Sequence, residues 1–328
     1  MRPQSRSPKA TPLRTARPPP LPPSAYFNNP RTDSQISPSL PYIVSFSQDD
    51  EASASSDPVW SQLVSNAQLQ AEEEPLLVSF LYSTILNHNS LESALAFHLA
   101  NRLASSSMIS TQVQSLFLEA FSSSPSISSS IRSDILAVAS RDPACTSVVD
   151  VVLYFKGFHA LVTQRVARQL WLSGRENIAS YLQSQMSQVF QIDIHPGAKL
   201  GAGIMLDHGT GIVIGETAVV GDNCSILHHV TLGGSGKKDV DRHPKIGDGV
   251  LIGAGCSVLG NIEVGDNVQI GAGSLVIGGI PKDSVVVGVP AKVIGTIARD
   301  EKVDLEDSPA ELMRQNVMEI CENNQFNI

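Results

Sequence analysis

Ile246-Gly247-Asp248-Gly249-Val250-Leu251-Ile252-Gly253-Ala254-Gly255-Cys256-Ser257-Val258 returns to an aliphatic residue every six positions, twice with glycine directly behind it. The same step continues through Val264, Ile270 and Val276. Upstream it runs through Ile194, Leu200, Leu206, Ile212, Ala218, Cys224 and Val230. Thirteen positions keep one period, and eleven of them are Ile, Leu or Val. A fixed six-residue spacing of this kind predicts a left-handed parallel β-helix of hexapeptide units. Each hexapeptide forms one side of a triangular coil, its aliphatic residue pointing into a narrow core while glycine allows the bend. Three sides close a turn, so the units predict a prism of about four turns over 191–296. Such prisms assemble side by side, and the groove between two of them becomes a binding site. Between Val230 and Ile246 the count is broken by ten extra residues, a loop thrown clear of the coil.

Residues 49–190 contain two glycines, whereas 197–295 contain 22 of the 24. In the glycine-poor part, segments 59–71, 75–87, 91–105, 109–122, 130–139, 147–172 and 175–189 place apolar residues at helical spacing. The reading is therefore α+β: an all-helical N-terminal domain over 57–190, then the coil, then a tail over 297–328. Residues 1–50 differ again. The first 48 residues hold 11 of the 20 prolines, and six basic residues precede the first acid, Asp33. Basic, hydroxylated and acid-poor is the composition of an organellar transit peptide, and the proline density favours a plastid over a mitochondrial address. The alternatives are a mitochondrial leader or an untargeted tail on a cytosolic chain.

Composition excludes several classes. A net charge of -9 argues against a general nucleic-acid binder. No apolar run approaches the roughly eighteen residues of a membrane span. Four separated cysteines, without a Cys-x-x-Cys pair, argue against a disulfide scaffold or a structural zinc site.

Two places in the repeat carry candidate chemistry. The first is Asp207-His208, just past Leu206, with Asp193 fifteen residues earlier. With eighteen residues per coil, Asp193 is predicted about one layer from His208. A carboxylate that orients an imidazole raises its basicity and makes a general base. The alternative is a polar pair satisfying itself at a coil corner. The second is the loop, whose Arg242 and His243 could reach toward the His208 of a neighbouring prism. Arginine offers a planar fork for a carboxylate. The loop's Gly-Gly-Ser-Gly-Lys run lacks the strand-to-helix context of a phosphate loop. In the helical part, Arg141-Asp142 and Lys156-Gly157-Phe158 are more polar than a scaffold needs. Asp142 reads first as a cap or turn former.

Taken together, Asp142-Pro143-Ala144, Lys156-Gly157-Phe158-His159-Ala160-Leu161, Asp193-Ile194-His195-Pro196, Leu206-Asp207-His208 and Gly215-Glu216-Thr217-Ala218 resemble serine O-acetyltransferase. So do Thr231-Leu232-Gly233-Gly234, Asp241-Arg242-His243-Pro244 and Gly288-Val289-Pro290-Ala291, in order from about 57 to 296. The resemblance implies transfer of an acetyl group from acetyl-CoA to the L-serine hydroxyl, with no metal and no covalent enzyme intermediate. It implies His208 as base, Asp193 as its partner and His243 as an assistant. Asp142 and Asp207 would hold the serine ammonium, and Arg242 its carboxylate. Gly233-Gly234, Gly253-Ala254 and Gly271-Ala272 would line the CoA groove. A trimer or dimer of trimers is implied, as is docking of the terminal Ile328 into O-acetylserine sulfhydrylase. Rival readings are a hexapeptide acyltransferase for a sugar or xenobiotic, a hexapeptide carbonic anhydrase with three zinc-binding histidines, and a weakly catalytic subunit regulating the sulfhydrylase.

Overall fold

The computed structural model describes residues 57–236, 240–297 and 310. The segment 1–50, residues 237–239 of the loop, and the tail with Ile328 (Ala310 apart) lie outside the described residues.

The helices run α1 Pro58–Glu73, α2 Val78–Leu81, α3 Leu91–Leu103, α4 Ser110–Ser123, α5 Pro125–Arg141, α6 Val148–Tyr154, α7 Lys156–Leu172 and α8 Glu176–Phe190. Three differ from the expectation. The stretch 75–87 is a composite: a 3-10 turn at Pro75–Leu77, then α2, then a π turn over Tyr82–Leu86. Helix α5 starts five residues early, because Pro125 sits in its first turn, where a missing N–H costs nothing. The predicted single helix 147–172 is two, broken at Phe155, whose backbone is extended (φ -83°, ψ 103°). The break swings Lys156-Gly157 onto the first coil. There the Leu206 carbonyl lies so close to Gly157 that a Cβ would sit 2.0 Å from its oxygen.

Helix α7 is the hinge between sequence and site. His159 is fully buried, accepting from Arg102 Nη1 at 2.9 Å and donating through Nε2 to the Val152 carbonyl at 2.8 Å. Burial pushes its pKa down to about 3, so it is a neutral packing residue. One turn on, Gln164, Arg165 and Arg168 donate to the Ala198, Gly201 and Gly197 carbonyls of the first coil. Arg165 is also paired with the fully buried Asp134 of α5, at 2.8 and 2.9 Å. Asp134 in turn accepts from the Ile204 backbone N–H at 3.0 Å. The helices are thus fastened to the coil by backbone carbonyls that a strand corner would otherwise leave unpaired.

The coil is a triangular parallel β-helix with three faces. One holds β1 (Asp193–Ile194), β4 (Val213–Ile214), β7 (Thr231–Gly233), β10 (Ser257–Leu259) and β13 (Leu275–Val276). The second holds β2 (Lys199–Leu200), β5 (Val219–Val220), β8 (Lys245–Ile246) and β11 (Glu263–Val264). The third holds β3 (Met205–Leu206), β6 (Ser225–Ile226), β9 (Leu251–Ile252), β12 (Gln269–Ile270), β14 (Ser284–Gly288) and β15 (Ala291–Thr296). All pairings are parallel except the closing β14–β15 hairpin.

The register corrects the count of extra residues. Asp193 pairs with Val213 and Met205 with Ser225, so the first coil spans twenty residues, not eighteen. Ser257 pairs with Leu275, the regular eighteen. The ten extra residues therefore divide: two fall between Leu206 and Ile214, and eight in the loop before Ile246. The six-step count hid this because it slid from strand residues to corner residues. Ile212, Ala218, Cys224 and Val230 precede their strand partners by two and are buried in the same core.

Candidate active site

The two-residue excess is a bulge at 208–211. His208, Gly209 and Gly211 have φ values of 55°, 70° and 74°. The corner one coil further along has a single such residue, His229 at φ 57°. A non-glycine residue in this left-handed region is uncommon, and here it stands beside two left-handed glycines at the polar rim. The bulge ties back to the chain above it. The Gly211 N–H donates to the Gln191 carbonyl at 2.8 Å, and the Asp193 N–H to the Ile212 carbonyl at 2.9 Å.

The strand register then places the bulge over a column. Leu206, Ile226, Ile252 and Ile270 stack across the third face. Two residues past each stand His208, His228, Ala254 and Ala272. The His208 and His228 rings meet edge-on with centroids 5.6 Å apart. Below them, Gly253 lies against the Ala272 amide, where a Cβ would come within 2.6 Å. The Gly273 N–H donates to the Ala254 carbonyl at 2.8 Å. Gly255 and Gly273 complete the corner, with open space where a side chain would stand. The result is a bare backbone edge leading to two histidines.

Around His208 gather two carboxylates. Asp207 Oδ1 is 3.8 Å from His208 Nε2. Burial raises the Asp207 pKa, and the negative charge of Asp142 raises it further, against the pull of His208 and His228. Asp142 closes α5 and accepts from the Ala144 N–H at 2.8 Å, so it is a turn former as well as a carboxylate facing Asp207. Two acids from the helical part and the coil thus share one electrostatic environment, which a cation would relieve. The His208 side chain is 74% exposed in the single chain.

A second group lies around the loop. Arg242 Nη2 is paired with Glu216 Oε2 at 2.8 Å. His243 is buried, its Nδ1 accepting from the Thr217 N–H at 3.2 Å, with the Thr217 hydroxyl at 2.9 Å. Because Nδ1 accepts, Nε2 carries the ring proton and His243 is a hydrogen-bond donor. Nε2 lies over Gly215, where a Cβ would be 1.9 Å away, and beside Gly234. Burial and the Arg242 charge lower the His243 pKa, which keeps the ring neutral. Gly233 ends β7 and Gly234 opens the loop, so this pair sits on the first face, apart from the Ala254–Ala272 corner.

Asp193 stands across the ladder from the end of the bulge, where its Oδ1 accepts from Gln183 Nε2 at 2.7 Å. Among the described residues no hydrogen bond or ion pair joins Asp193 to His208, or the Asp207–His208 group to the Arg242–His243 group. Sequence reasoning missed His228, whose Nδ1 is buried without a protein partner. The missing signal was the twenty-residue coil, which alone puts positions 208 and 228 in one column. Among the described residues no three His, Cys, Asp or Glu side chains gather as a metal ion requires, and no helix is long and apolar enough to cross a membrane.

Comparison with known proteins gives the arrangement a lineage. Residues 59–163 match the family model described as serine acetyltransferase, N-terminal, and residues 243–278 match the bacterial transferase hexapeptide repeat. A probable serine acetyltransferase of rice (Oryza sativa subsp. japonica) is 54% identical over 78% of this chain and 75% of its own. A chloroplastic serine acetyltransferase of Arabidopsis thaliana is 51% identical over 76% and 79%. The soybean serine acetyltransferase complexed with serine superposes with a TM-score of 0.70 at 53% identity, covering 72% of this chain and 97% of that one. The Brucella abortus enzyme in complex with coenzyme A superposes with a TM-score of 0.73 at 49% identity, covering 75% and 98%. With both the helical part and the left-handed hexapeptide coil matched, the chain belongs to the serine acetyltransferase family of acyltransferases.

Proposed function

We propose that this chain transfers the acetyl group of acetyl-CoA to the hydroxyl of L-serine, giving O-acetyl-L-serine and CoA. The observation that carries the reading is the column His208, His228, Ala254, Ala272, which sets an imidazole at the end of a bare backbone groove. Asp142 and Asp207 supply the negative charge that a serine ammonium needs. Arg242, one arm of its fork held by Glu216, supplies the positive charge for the carboxylate.

His208 takes the proton from the serine hydroxyl as its oxygen attacks the thioester carbonyl. The carbon–sulfur bond then breaks, and the departing CoA thiolate takes that proton back. Asp193 is the carboxylate that orients the ring once the exposed imidazole turns toward β1. Charge developing on the acetyl oxygen needs donors already in place. His243 Nε2–H is the candidate. The exposure of His208, with no bond to Arg242 among the described residues, supports a site completed between copies, in a trimer or a dimer of trimers. The terminal Ile328 is the contact we assign to O-acetylserine sulfhydrylase, and the basic segment 1–50 to plastid import.

Release of free CoA thiol from acetyl-CoA tests the reaction. The rate is expected to depend on L-serine and to be at least tenfold lower with a sugar or chloramphenicol-like acceptor at equal concentration. Equal rates without serine would remove the substrate assignment and leave the coil standing.

A further inference from the structure

Lys156 opens α7, and its ammonium is hydrogen-bonded to the Thr210 hydroxyl in the middle of the bulge. Thr210 is tied on two further sides. Its N–H donates to the His208 carbonyl at 2.9 Å, and its carbonyl accepts from the His229 N–H at 2.7 Å. One residue thus links the helical part, the backbone of His208, and the next corner, where His228 sits. The close seating of α7 on the bulge needs two glycines. A Cβ at Gly157 would strike the Leu206 carbonyl, and one at Gly209 would come within 2.5 Å of Ile192 and 3.3 Å of Gly157. The Ala198, Gly201 and Gly197 carbonyls of the first coil are met by Gln164, Arg165 and Arg168, not by Lys156.

We propose that Lys156 is a positioning residue for acetyl transfer: bonded to Thr210, it holds the two-residue bulge in the backbone shape that presents His208. Three left-handed conformations within four residues, at 208, 209 and 211, have many looser alternatives, and a lysine anchored in a helix start selects one of them. The proposal rests on His208 being the base. Misplacement of a reacting group by about 1 Å costs on the order of 10²-fold in rate.

The test compares Lys156→Met, Thr210→Val, Thr210→Ser and the double variant Lys156→Met/Thr210→Val, with His208→Ala beside them. In Lys156→Met and Thr210→Val, kcat is expected to fall about 10- to 100-fold with KM for serine within about twofold. Thr210→Ser keeps the hydroxyl and is expected to restore most of the rate. The double variant is expected to be no slower than the worse single, because both changes cut one link. Wild-type kcat in Lys156→Met and Thr210→Val overturns the proposal. So does a multiplicative loss in the double variant, or a Thr210→Ser enzyme as slow as Thr210→Val. An inactive His208→Ala beside a fully active Lys156→Met removes the positioning role alone, whereas an active His208→Ala removes the base and this role together.

Discussion

Replacing His208 with alanine is expected to lower kcat for serine-dependent CoA release by about 10²–10⁴-fold, the usual worth of a positioned general base. KM for serine should change by less than about threefold, because the groups assigned to its ammonium and carboxylate (Asp142, Asp207 and Arg242) are side chains that the substitution leaves in place. The structure makes this split informative. The His208 side chain is mostly exposed, makes no hydrogen bond that holds the fold, and stands at the rim of the coil. Its removal should leave Tm unchanged within about 1 °C, as for a surface substitution. A variant that loses kcat and Tm together would point to a structural role for the bulge. A variant that keeps kcat would move the base to another residue, with His228 next in the column.

The second large effect is on stability. Arg165→Met is expected to destabilise the chain by about 3–5 kcal/mol, since it leaves the fully buried Asp134 without its counter-ion. The expected readout is a drop in Tm on the order of 10 °C. The Gly201 carbonyl loses its 2.6 Å donor in the same substitution. Burial already raises the Asp134 pKa, and losing Arg165 removes the charge that opposes the rise. A carboxylate with a raised folded pKa binds more protons folded than unfolded, so stability falls as pH rises above its unfolded value. The variant should therefore be hurt more at pH 8 than at pH 5. Asp134→Leu/Arg165→Met, which removes both charges, is expected to be more stable than Arg165→Met alone. Equal thermal stability of Arg165→Met and the parent would mean that the Arg165–Asp134 pair is not what fastens the helices to the coil.

How much of this was legible in the sequence follows from what each signal reports. The six-residue period reports a column of inward-facing residues, and it gave the coil, its approximate length and the existence of a loop. It could not locate the bulge at 208–211, because corner residues such as Ile212 and strand residues such as Ile214 are both apolar and both face inward. Counting aliphatic positions alone therefore moved two extra residues into the loop and overlooked the pairing of His208 with His228. Helical periodicity reports a buried stripe, so it found most helices. It ran straight through Phe155, where the apolar pattern continues although the backbone does not. Asp142 was readable as a turn former, and it is one; its nearness to Asp207 depends on how α5 packs against β3, which no local pattern encodes. The motif resemblance supplied the roles of Arg242 and His243. Only the folded structure shows that Glu216 and Thr217 hold them, or that Lys156 reaches Thr210.

The central claim is that one chain carries two half-sites, Asp207–His208 with Asp142 and Arg242–His243 with Glu216, which meet only between copies. Subunit complementation tests it most directly. His208→Ala and Arg242→Ala chains, each inactive alone, are co-expressed in equal amounts and purified as mixed oligomers. If neighbouring copies share each site, one interface in about four pairs an intact His208 with an intact Arg242, and about a quarter of parental activity should return. Mixed oligomers as inactive as either variant alone would show that both halves act within one chain, and would contradict the account.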